Sequence, residues 1–268
     1  PSYLRGRWRK GGWWYFYLYA LAIKLPLGTW ILVALAILLS SFVAGYSASW
    51  RDEAVLLLPL LGILVLVSSQ TGFTLHSRYV LPMLPLLFVW VSKVARSLAR
   101  RQRTIAVVGG LAVCWSLASS SWVYPHSLSY FNELVGGPRH GHAHLLDSNV
   151  SWGQDFFYLK LWLDAHPRAR PLHLAAYGNL NAELAGIEYA VPPTGCVAAA
   201  RQSPTPEERL GPQPGWYAID VNDLDCAEPQ GGDRARDRRL ANTGCGEFAY
   251  FRHFQPLASA GYSIYIYH

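Results

Sequence analysis

Long apolar segments dominate the first half of the chain, whereas polar and apolar positions mix in the second half. Residues 27–45 carry no charged side chain, and a helix needs about 20 apolar residues to cross the hydrocarbon core of a bilayer. Together the apolar segments predict membrane spans near residues 13–45, 54–73, 79–95 and 104–124. We interpret residues 1–124 as a transmembrane region; the alternative is a set of buried helices in a soluble protein.

Residues 13–23 permit two interpretations. The segment is too short to cross a bilayer alone, and Lys24 and Pro26 interrupt the apolar run. It is either an interfacial helix or the first part of a long, tilted span that continues through residue 45.

Basic residues in the short loops predict the orientation, because cytoplasmic loops are enriched in lysine and arginine. The loop 93–103 carries five and is expected in the cytoplasm. By alternation, the loop 46–53 is also cytoplasmic, whereas the loop 70–78 and residues 125–268 lie outside. Residues 5–10, also basic, would then lie outside against the rule, where they would face anionic headgroups or a charged substrate.

After residue 124, helical and strand patterns alternate. Residues 152–165 are predicted to form a helix, because Ser151 and Gln154 fit a capping box and Asp155 suits the positive end of the helix dipole. Strands are predicted at residues 171–177, 215–220 and 262–267. The predicted fold is therefore an α-helical multispanning membrane region (1–124) followed by a small α/β extracytoplasmic domain (125–268).

Composition and charge agree with this division. Mean hydropathy is +0.13; residues 1–124 contain 12 Lys and Arg against 2 Asp and Glu, and residues 125–268 contain 11 against 15. The apolar half therefore carries +10 and the second half −4, which sum to the net charge of +6; the excess of basic residues lies in the apolar half and does not predict a nucleic-acid partner. The chain begins at Pro1, has Met83 as its single methionine and shows no signal-peptide pattern, so we expect a C-terminal piece of a longer protein.

Candidate metal ligands and disulfides are few. The three histidines of HGHAH (140–144) would share one face of a strand and could bind a metal ion there, but their glycine-rich surroundings favour a loop. We predict no cofactor and leave a divalent metal ion open. Outside the cytoplasm, one pair among Cys196, Cys226 and Cys245 could be oxidised, and the sequence does not choose the pair.

Basic residues near the membrane are candidates for binding an anion. His76 and Arg78 are expected at the outer edge of a span, where arginine could bind a lipid phosphate through several hydrogen bonds or act only as an interfacial anchor. Lys24 lies within an apolar stretch, where a charge is costly and so indicates a polar cavity or an anionic ligand.

Four motifs occur in a recognisable order: GRWRKGGWWYFYLYALAIKLPLG (6–28), HSRYVLPMLPLL (76–87), YFNELVGGPRHG (130–141) and LLDSNVSWGQD (145–155). They resemble the C-terminal portion of bacterial glycosyltransferase family 39 proteins, which are similar to protein O-mannosyltransferases and to the aminoarabinose transferase of lipid A. The resemblance covers most of residues 6–165.

This resemblance implies a multispanning GT-C enzyme that transfers a sugar from a polyprenyl-phosphate carrier to an acceptor on the outer face of the membrane. The family's catalytic acid would precede Pro1. The resemblance makes Lys24, His76 and Arg78 candidates for binding the carrier phosphate.

The last motif resembles the family's DSN-x-DWGQD signature. The matching residues are Asp147, Asn149, Trp152, Gln154 and Asp155. They are expected either to contact the sugar or acceptor, or only to fix the tail. Ser151 replaces an aspartate that is frequent in the family, which weakens any acid–base role for the motif.

Two functions follow from these observations. The first is a glycosyltransferase of the inner cell membrane, whose partners are a polyprenyl-phosphate-linked sugar, membrane lipid, and an acceptor protein, lipid or glycan. The alternative is a non-enzymatic membrane protein whose outer domain binds a ligand or partner, such as a sensor or a transporter accessory subunit. An inactive relative of the enzyme is a third possibility.

Overall fold

The computed structural model describes residues 2–70, 76–176, 181–193, 213–225 and 248–268. The backbone divides into two compact units, Pro1–Leu145 and Leu146–His268. The sequence predicts a boundary after residue 124. The first unit extends further, to Leu145, because it includes the segment that follows the last apolar helix.

A short hairpin and a series of helices form the first unit. They are β1 (Ser2–Leu4), β2 (Arg7–Arg9), α1 (Phe16–Lys24), α2 (Leu27–Phe42), α3 (Trp50–Ser69), α4 (Leu84–Val91), α5 (Arg96–Ala99) and α6 (Arg103–Val123). Short 3-10 turns flank α4, so the chain is helical from Ser77 to Ala99. Among the described residues, three segments are long and apolar enough to cross a membrane, namely α3, Ser77–Ala99 and α6. The predicted apolar helices of membrane length are confirmed at these three places.

The chain bends by 111° between α1 and α2. Leu25 is extended, with φ −95° and ψ 141°, because the ring of the following Pro26 disfavours the helical conformation of the residue before it. Residues 13–45 therefore do not form one straight tilted span; α1 and α2 are together apolar and long enough for a membrane segment only as a broken span or a re-entrant loop.

A segment that follows α6 stabilises this bend. Asn132 is buried, and its side-chain amide donates to the carbonyls of Ala22 (2.7 Å) and Leu25 (2.9 Å). Its backbone N–H donates to the carbonyl of Ile23 at 2.8 Å. The last carbonyls of a helix have no partner within the helix, and Asn132 supplies donors to those that end α1.

Helices α2 and α6 pack closely through small residues. A Cβ atom on Gly28 would overlap the backbone carbonyl of Ala112 and the side chain of Ser116. The hydroxyls of Thr29 and Ser116 lie 3.3 Å apart. Small residues allow helix backbones to approach, as is common between membrane helices.

The loop after α2 and the loop before α6 lie at one end of the helices. Arg96 donates to the carbonyls of Gly45 (3.2 Å) and Tyr46 (3.1 Å) across these loops. This arrangement matches the alternation that assigns both loops to the same side. We call it the basic end, after the five lysine and arginine residues of 93–103.

The second unit is built on a sheet that has four strands in the described residues, in the order β3-β4-β6-β5. The elements are α7 (Phe156–Ala165), β3 (Leu172–Ala175), β4 (Trp216–Asp220), α8 (Val221–Leu224), β5 (Ala258–Ala260) and β6 (Ile264–Tyr267). Strands β3 and β4 are parallel, whereas β6 is antiparallel to both β4 and β5.

Alternate side chains of the sheet fill two separate cores, because successive residues of a strand point to opposite faces. Leu174, Ala218 and Ile266 belong to the core that includes residues of α7. Tyr217 and Tyr267 belong to the other core. Both faces of the sheet are therefore covered.

The predicted strands at 171–177, 215–220 and 262–267 are confirmed as β3, β4 and β6, with shorter ends. The predicted helix at 152–165 begins later, at Phe156. The hairpin β1–β2 and strand β5 were not predicted, since each strand has only three residues.

Candidate functional site

A cluster of basic and aromatic side chains in the first unit is the strongest candidate for a binding site. The hairpin β1–β2 turns at Arg5 and Gly6, which have positive φ angles of 52° and 76°. Two such residues form the type I′ turn, whose twist matches that of the flanking strands. The turn brings the backbone N–H of Arg5 within 3.0 Å of the carbonyl oxygen of His144.

Tyr19 of α1 completes the arrangement, which we call the Arg–Tyr–His cluster (Arg5, Tyr19 and His144). The Tyr19 hydroxyl lies 2.5 Å from Nδ1 of His144, and the guanidinium carbon of Arg5 lies 5.7 Å from the centre of the Tyr19 ring. When His144 carries its proton on Nε2, the tyrosine hydroxyl donates to Nδ1 and the Nε2–H can donate to a ligand.

The surroundings of His144 are electropositive. Burial lowers the pKa of His144 below its usual range, and the nearby Arg5, His140 and His142 lower that pKa further. In the described part of the chain, neither Arg5 nor His144 pairs with a carboxylate. Concentrated positive charge without an acidic partner favours an anion, and the planar guanidinium of arginine matches the geometry of phosphate.

Sequence reasoning found both halves of this cluster but not their contact. The basic residues 5–10 and the histidines of 140–144 are visible as patterns, yet Tyr19 and His144 are 125 positions apart. The expectation that residues 5–10 face a charged substrate or headgroup stays a prediction. Tyr19 itself was missed, because a tyrosine in an aromatic apolar run carries no signal of its own.

The HGHAH histidines do not lie on a strand, and the loop that their glycine-rich surroundings favour is confirmed. Residues Pro138–Ala143 form a 3-10 turn, and Nδ1 of His140 lies 3.1 Å from the carbonyl of Gly136. Across the described ranges, no group of three or more His, Cys, Asp or Glu side chains is placed to hold a metal ion.

The cysteines add no site in the described residues. Cys114 is a free, exposed thiol on α6. The predicted disulfide among Cys196, Cys226 and Cys245 falls outside the described residues.

Lys24 lies at the bend between α1 and α2. Its ammonium donates to the carbonyl of Leu128 at 2.8 Å and lies 4.1 Å from the centre of the Phe131 ring. A carbonyl oxygen and an aromatic face both stabilise a cation. Lys24 therefore joins the bend to the segment that carries Asn132, and its binding of a carrier phosphate stays a prediction.

His76 and Arg78 lie at the start of the helical segment Ser77–Ala99. Both contact Tyr79: the His76 and Tyr79 ring centres are 5.7 Å apart, and the Arg78 guanidinium carbon is 5.4 Å from the Tyr79 ring centre. The 3-10 turn at the start of this segment packs against α1. Their predicted contact with phosphate is untested by these positions.

In the second unit, Asp147 and Asn149 shape their own loop. Asp147 has a positive φ of 62°; its carboxylate accepts from the Ser148 N–H at 2.6 Å, and its N–H donates to the side-chain oxygen of Asn222 at 2.6 Å. The buried Asn149 amide donates to the carbonyl of Leu146 at 2.7 Å. Asn149 also begins an Asn-Val-Ser glycosylation sequence, and its burial makes it a poor site for a glycan in the folded chain.

The predicted capping box is wrong, because the chain turns at Gly153 (φ 90°) and the helix begins only at Phe156. The side-chain oxygen of Gln154 instead accepts from the N–H of Trp152 at 2.7 Å. The Ser151 hydroxyl accepts from the N–H of Gly153 at 3.2 Å. Trp152 is 42 % exposed and accessible to a ligand.

Asp155 connects the start of α7 to the turn between β5 and β6. Its fully buried carboxylate accepts from the N–H of Tyr262 (3.1 Å), the N–H of Ser263 (3.0 Å) and the Ser263 hydroxyl (2.8 Å). Gly261, with φ of 60°, lies so close that a Cβ atom would overlap this carboxylate. These contacts give Asp155 a structural role that a helix-dipole argument does not predict.

A second buried carboxyl group, Asp220, ends β4. Its side chain accepts from the N–H of Asn222 at 2.8 Å and so caps α8. Burial raises the pKa of Asp220 well above its usual range, and the charges of Asp223 and Asp155 raise that pKa further. Asp220 was missed in the sequence because it belongs to no motif.

The eight predicted site residues are thus divided between the units, with three in Pro1–Leu145 and five in Leu146–His268. Comparison with protein-family models, curated proteins and solved structures finds no match for this chain. The likeness to glycosyltransferase family 39 therefore rests on the four sequence motifs.

Proposed function

We propose that this chain is the C-terminal part of an integral-membrane glycosyltransferase of the inner cell membrane. It takes a sugar from a polyprenyl-phosphate carrier and gives it to an extracytoplasmic acceptor, which is a protein, lipid or glycan. The apolar helices of membrane length support the location, and the four motifs support the reaction class. The catalytic acid belongs to residues that would precede Pro1.

The Arg–Tyr–His cluster is the observation that carries the proposal. It lies with the segment that follows α6, away from the basic end, and so on the extracytoplasmic side in the proposed orientation. When a sugar leaves a phosphate carrier, negative charge grows on the phosphate, and fixed positive groups stabilise that charge. Arg5 provides the guanidinium and His144 provides an Nε2–H donor for this purpose.

The predicted residues take supporting roles in this scheme. Lys24, His76 and Arg78 belong to the same unit and remain the further candidates for contact with the carrier phosphate. Considered by itself, the second unit offers a separate candidate contact: Trp152 is 42 % exposed and presents an aromatic face to a sugar or an acceptor, since such sites combine aromatic rings with polar groups. Asp147, Asn149, Gln154 and Asp155 hold the loop and helix that present this ring.

Sugar transfer from a synthetic polyprenyl-phosphate sugar, assayed with the full-length protein that contains this chain, tests the proposal. Replacing Arg5→Gln or His144→Gln is expected to raise the KM for the carrier at least tenfold, since each change removes a phosphate contact. Arg103→Gln, which removes a positive charge at the basic end, is the matched control and is expected to leave the KM unchanged.

Two results would contradict the proposal. An unchanged KM in both cluster variants would remove the cluster from the carrier site. Absence of transfer by the wild-type protein, together with ligand binding by its second unit, would favour the non-enzymatic membrane protein.

A further inference from the structure

The first unit contains a cavity at the basic end that the proposed sugar transfer does not use. It has a volume of about 250 Å³ and lies between the start of α3 and the end of the helical segment Ser77–Ala99. Its ionisable lining residues are two acids and two bases: Asp52, Glu53, Lys93 and Arg96.

Glu53 and Lys93 neutralise each other within this cavity. The Lys93 ammonium lies 2.7 Å from both carboxylate oxygens of Glu53 and 3.2 Å from the Ser40 hydroxyl. The same carboxylate accepts from the indole N–H of Trp90 (2.6 Å) and from the N–H of Ala48 (3.0 Å). Because both side chains already have several partners, we assign this pair a structural role in joining the cavity walls and no role in binding a ligand.

Asp52 and Arg96 have bonding capacity left for a ligand. One carboxylate oxygen of Asp52 accepts from the Ser49 hydroxyl at 2.7 Å, and one terminal nitrogen of Arg96 donates to the carbonyls of Gly45 and Tyr46. Within the described ranges, the other Asp52 oxygen and the remaining Arg96 nitrogens have no protein partner. The cavity lining thus includes an anionic hydrogen-bond acceptor, Asp52, and a cationic hydrogen-bond donor, Arg96.

Apart from Ser92, the rest of the lining is aliphatic or aromatic, and further apolar side chains of α3 are exposed. Leu56 and Val89 line the cavity, and Val55 and Leu58 of α3 are 70 % and 68 % exposed. A ligand whose polar part enters the cavity could therefore extend an apolar part along α3.

We propose that this cavity binds the headgroup of phosphatidylethanolamine, with the lipid phosphate on Arg96, the primary ammonium on Asp52 and the acyl chains along α3. The four charged side chains of the lining sum to zero, so a ligand with one positive and one negative group matches them. A simple anion would be repelled by Asp52, and a simple cation would be repelled by Arg96. The inference depends on the membrane placement in the proposed function and is independent of sugar transfer.

Native mass spectrometry of the full-length protein, purified in detergent and mixed with defined lipids, tests the inference. Wild-type protein is expected to retain phosphatidylethanolamine at least tenfold better than phosphatidylcholine, whose quaternary ammonium donates no hydrogen bond to Asp52. Asp52→Asn and Arg96→Gln are expected to reduce this preference to less than twofold. Arg103→Gln, outside the cavity at the same end, is the control and is expected to keep the preference.

Arg96→Gln removes hydrogen bonds to the loop carbonyls of Gly45 and Tyr46 and could disturb that loop. Asp52→Asn keeps an oxygen that accepts from Ser49, so this variant tests the binding site without disturbing the loop. Equal retention of the two lipids by wild-type protein, or an undiminished preference in Asp52→Asn, would overturn the proposal. Competition by free phosphoethanolamine at the concentration of the lipid would show a soluble ligand and would overturn the lipid assignment. If the protein fails the transfer assay but shows the lipid preference, the proposed function is refuted and the lipid site is retained.

Discussion

Replacement of Asp155 tests how the second unit is held together. Asp155→Ala removes the acceptor for two backbone N–H groups, those of Tyr262 and Ser263, and for the Ser263 hydroxyl. A buried donor left without a partner costs about 1–3 kcal/mol. The hydroxyl can reorient, so we count the two amides and expect a loss of about 3 kcal/mol in the free energy of opening this turn.

Hydrogen–deuterium exchange of the purified chain measures this loss where it occurs. A change of about 3 kcal/mol corresponds to a roughly 100-fold change in an equilibrium constant. Peptides that contain Tyr262 and Ser263 are therefore expected to exchange roughly 100-fold faster in Asp155→Ala than in the wild type. Asp155→Asn keeps one acceptor oxygen and is expected to fall between the two.

Asp164→Asn is the matched control on the same helix. Asp164 is half exposed and bonds to Lys160 at the surface, where ion pairs contribute about 0–1 kcal/mol. If Asp155→Ala exchanged at the wild-type rate in these peptides, or if Asp164→Asn exchanged equally fast, the structural role assigned to Asp155 would be refuted.

Further predictions concern single residues elsewhere. The pKa of Asp220 is raised in the folded chain, so the wild type loses stability as pH rises and this carboxyl group must ionise. Asp220→Asn keeps an oxygen that caps α8 but cannot ionise, so the variant should melt no lower than the wild type at pH 8. The pKa of His144 is lowered, so stability should fall as pH drops below about 6.5, and His144→Gln should flatten that fall in thermal melts. Gly28→Val should lower the melting temperature by overlapping α6, whereas Gly62→Val, where nothing lies within 4 Å, should not. Asn132→Ala leaves carbonyls of α1 without donors and should cost about 1–3 kcal/mol of stability, measured by thermal unfolding in detergent.

The parts of the fold that depend on local pattern were predictable. Membrane-length helices appear as uninterrupted apolar runs, and strands such as β4 and β6 appear as β-branched and aromatic runs between turns. The 111° bend was not predicted, because Pro26 signals a break without giving its angle. Helix α7 begins at Phe156 and not at the predicted residue 152, because the chain makes a turn at Gly153 that the capping-box pattern does not reveal.

The parts that depend on long-range contact were not predictable from one sequence. The partners of Asp155 lie 107 and 108 positions away, and the N-terminal hairpin meets His144 only in the folded first unit. The sequence pattern identifies Lys24 as an unusual charge in an apolar stretch. It does not predict that the ammonium contacts the carbonyl of Leu128 and the ring of Phe131. Candidate residues were therefore easier to find than their partners.

The side of the membrane on which each loop lies tests the central claim most directly. Single cysteines at Ser47 and Leu134, in a chain whose own four cysteines are replaced by serine, would be treated with a membrane-impermeant maleimide in intact spheroplasts. The account predicts that position 134 reacts at once and that position 47 reacts only after the membrane is permeabilised. Labelling of position 47 in intact spheroplasts with protection of position 134, or equal labelling of both, would contradict it.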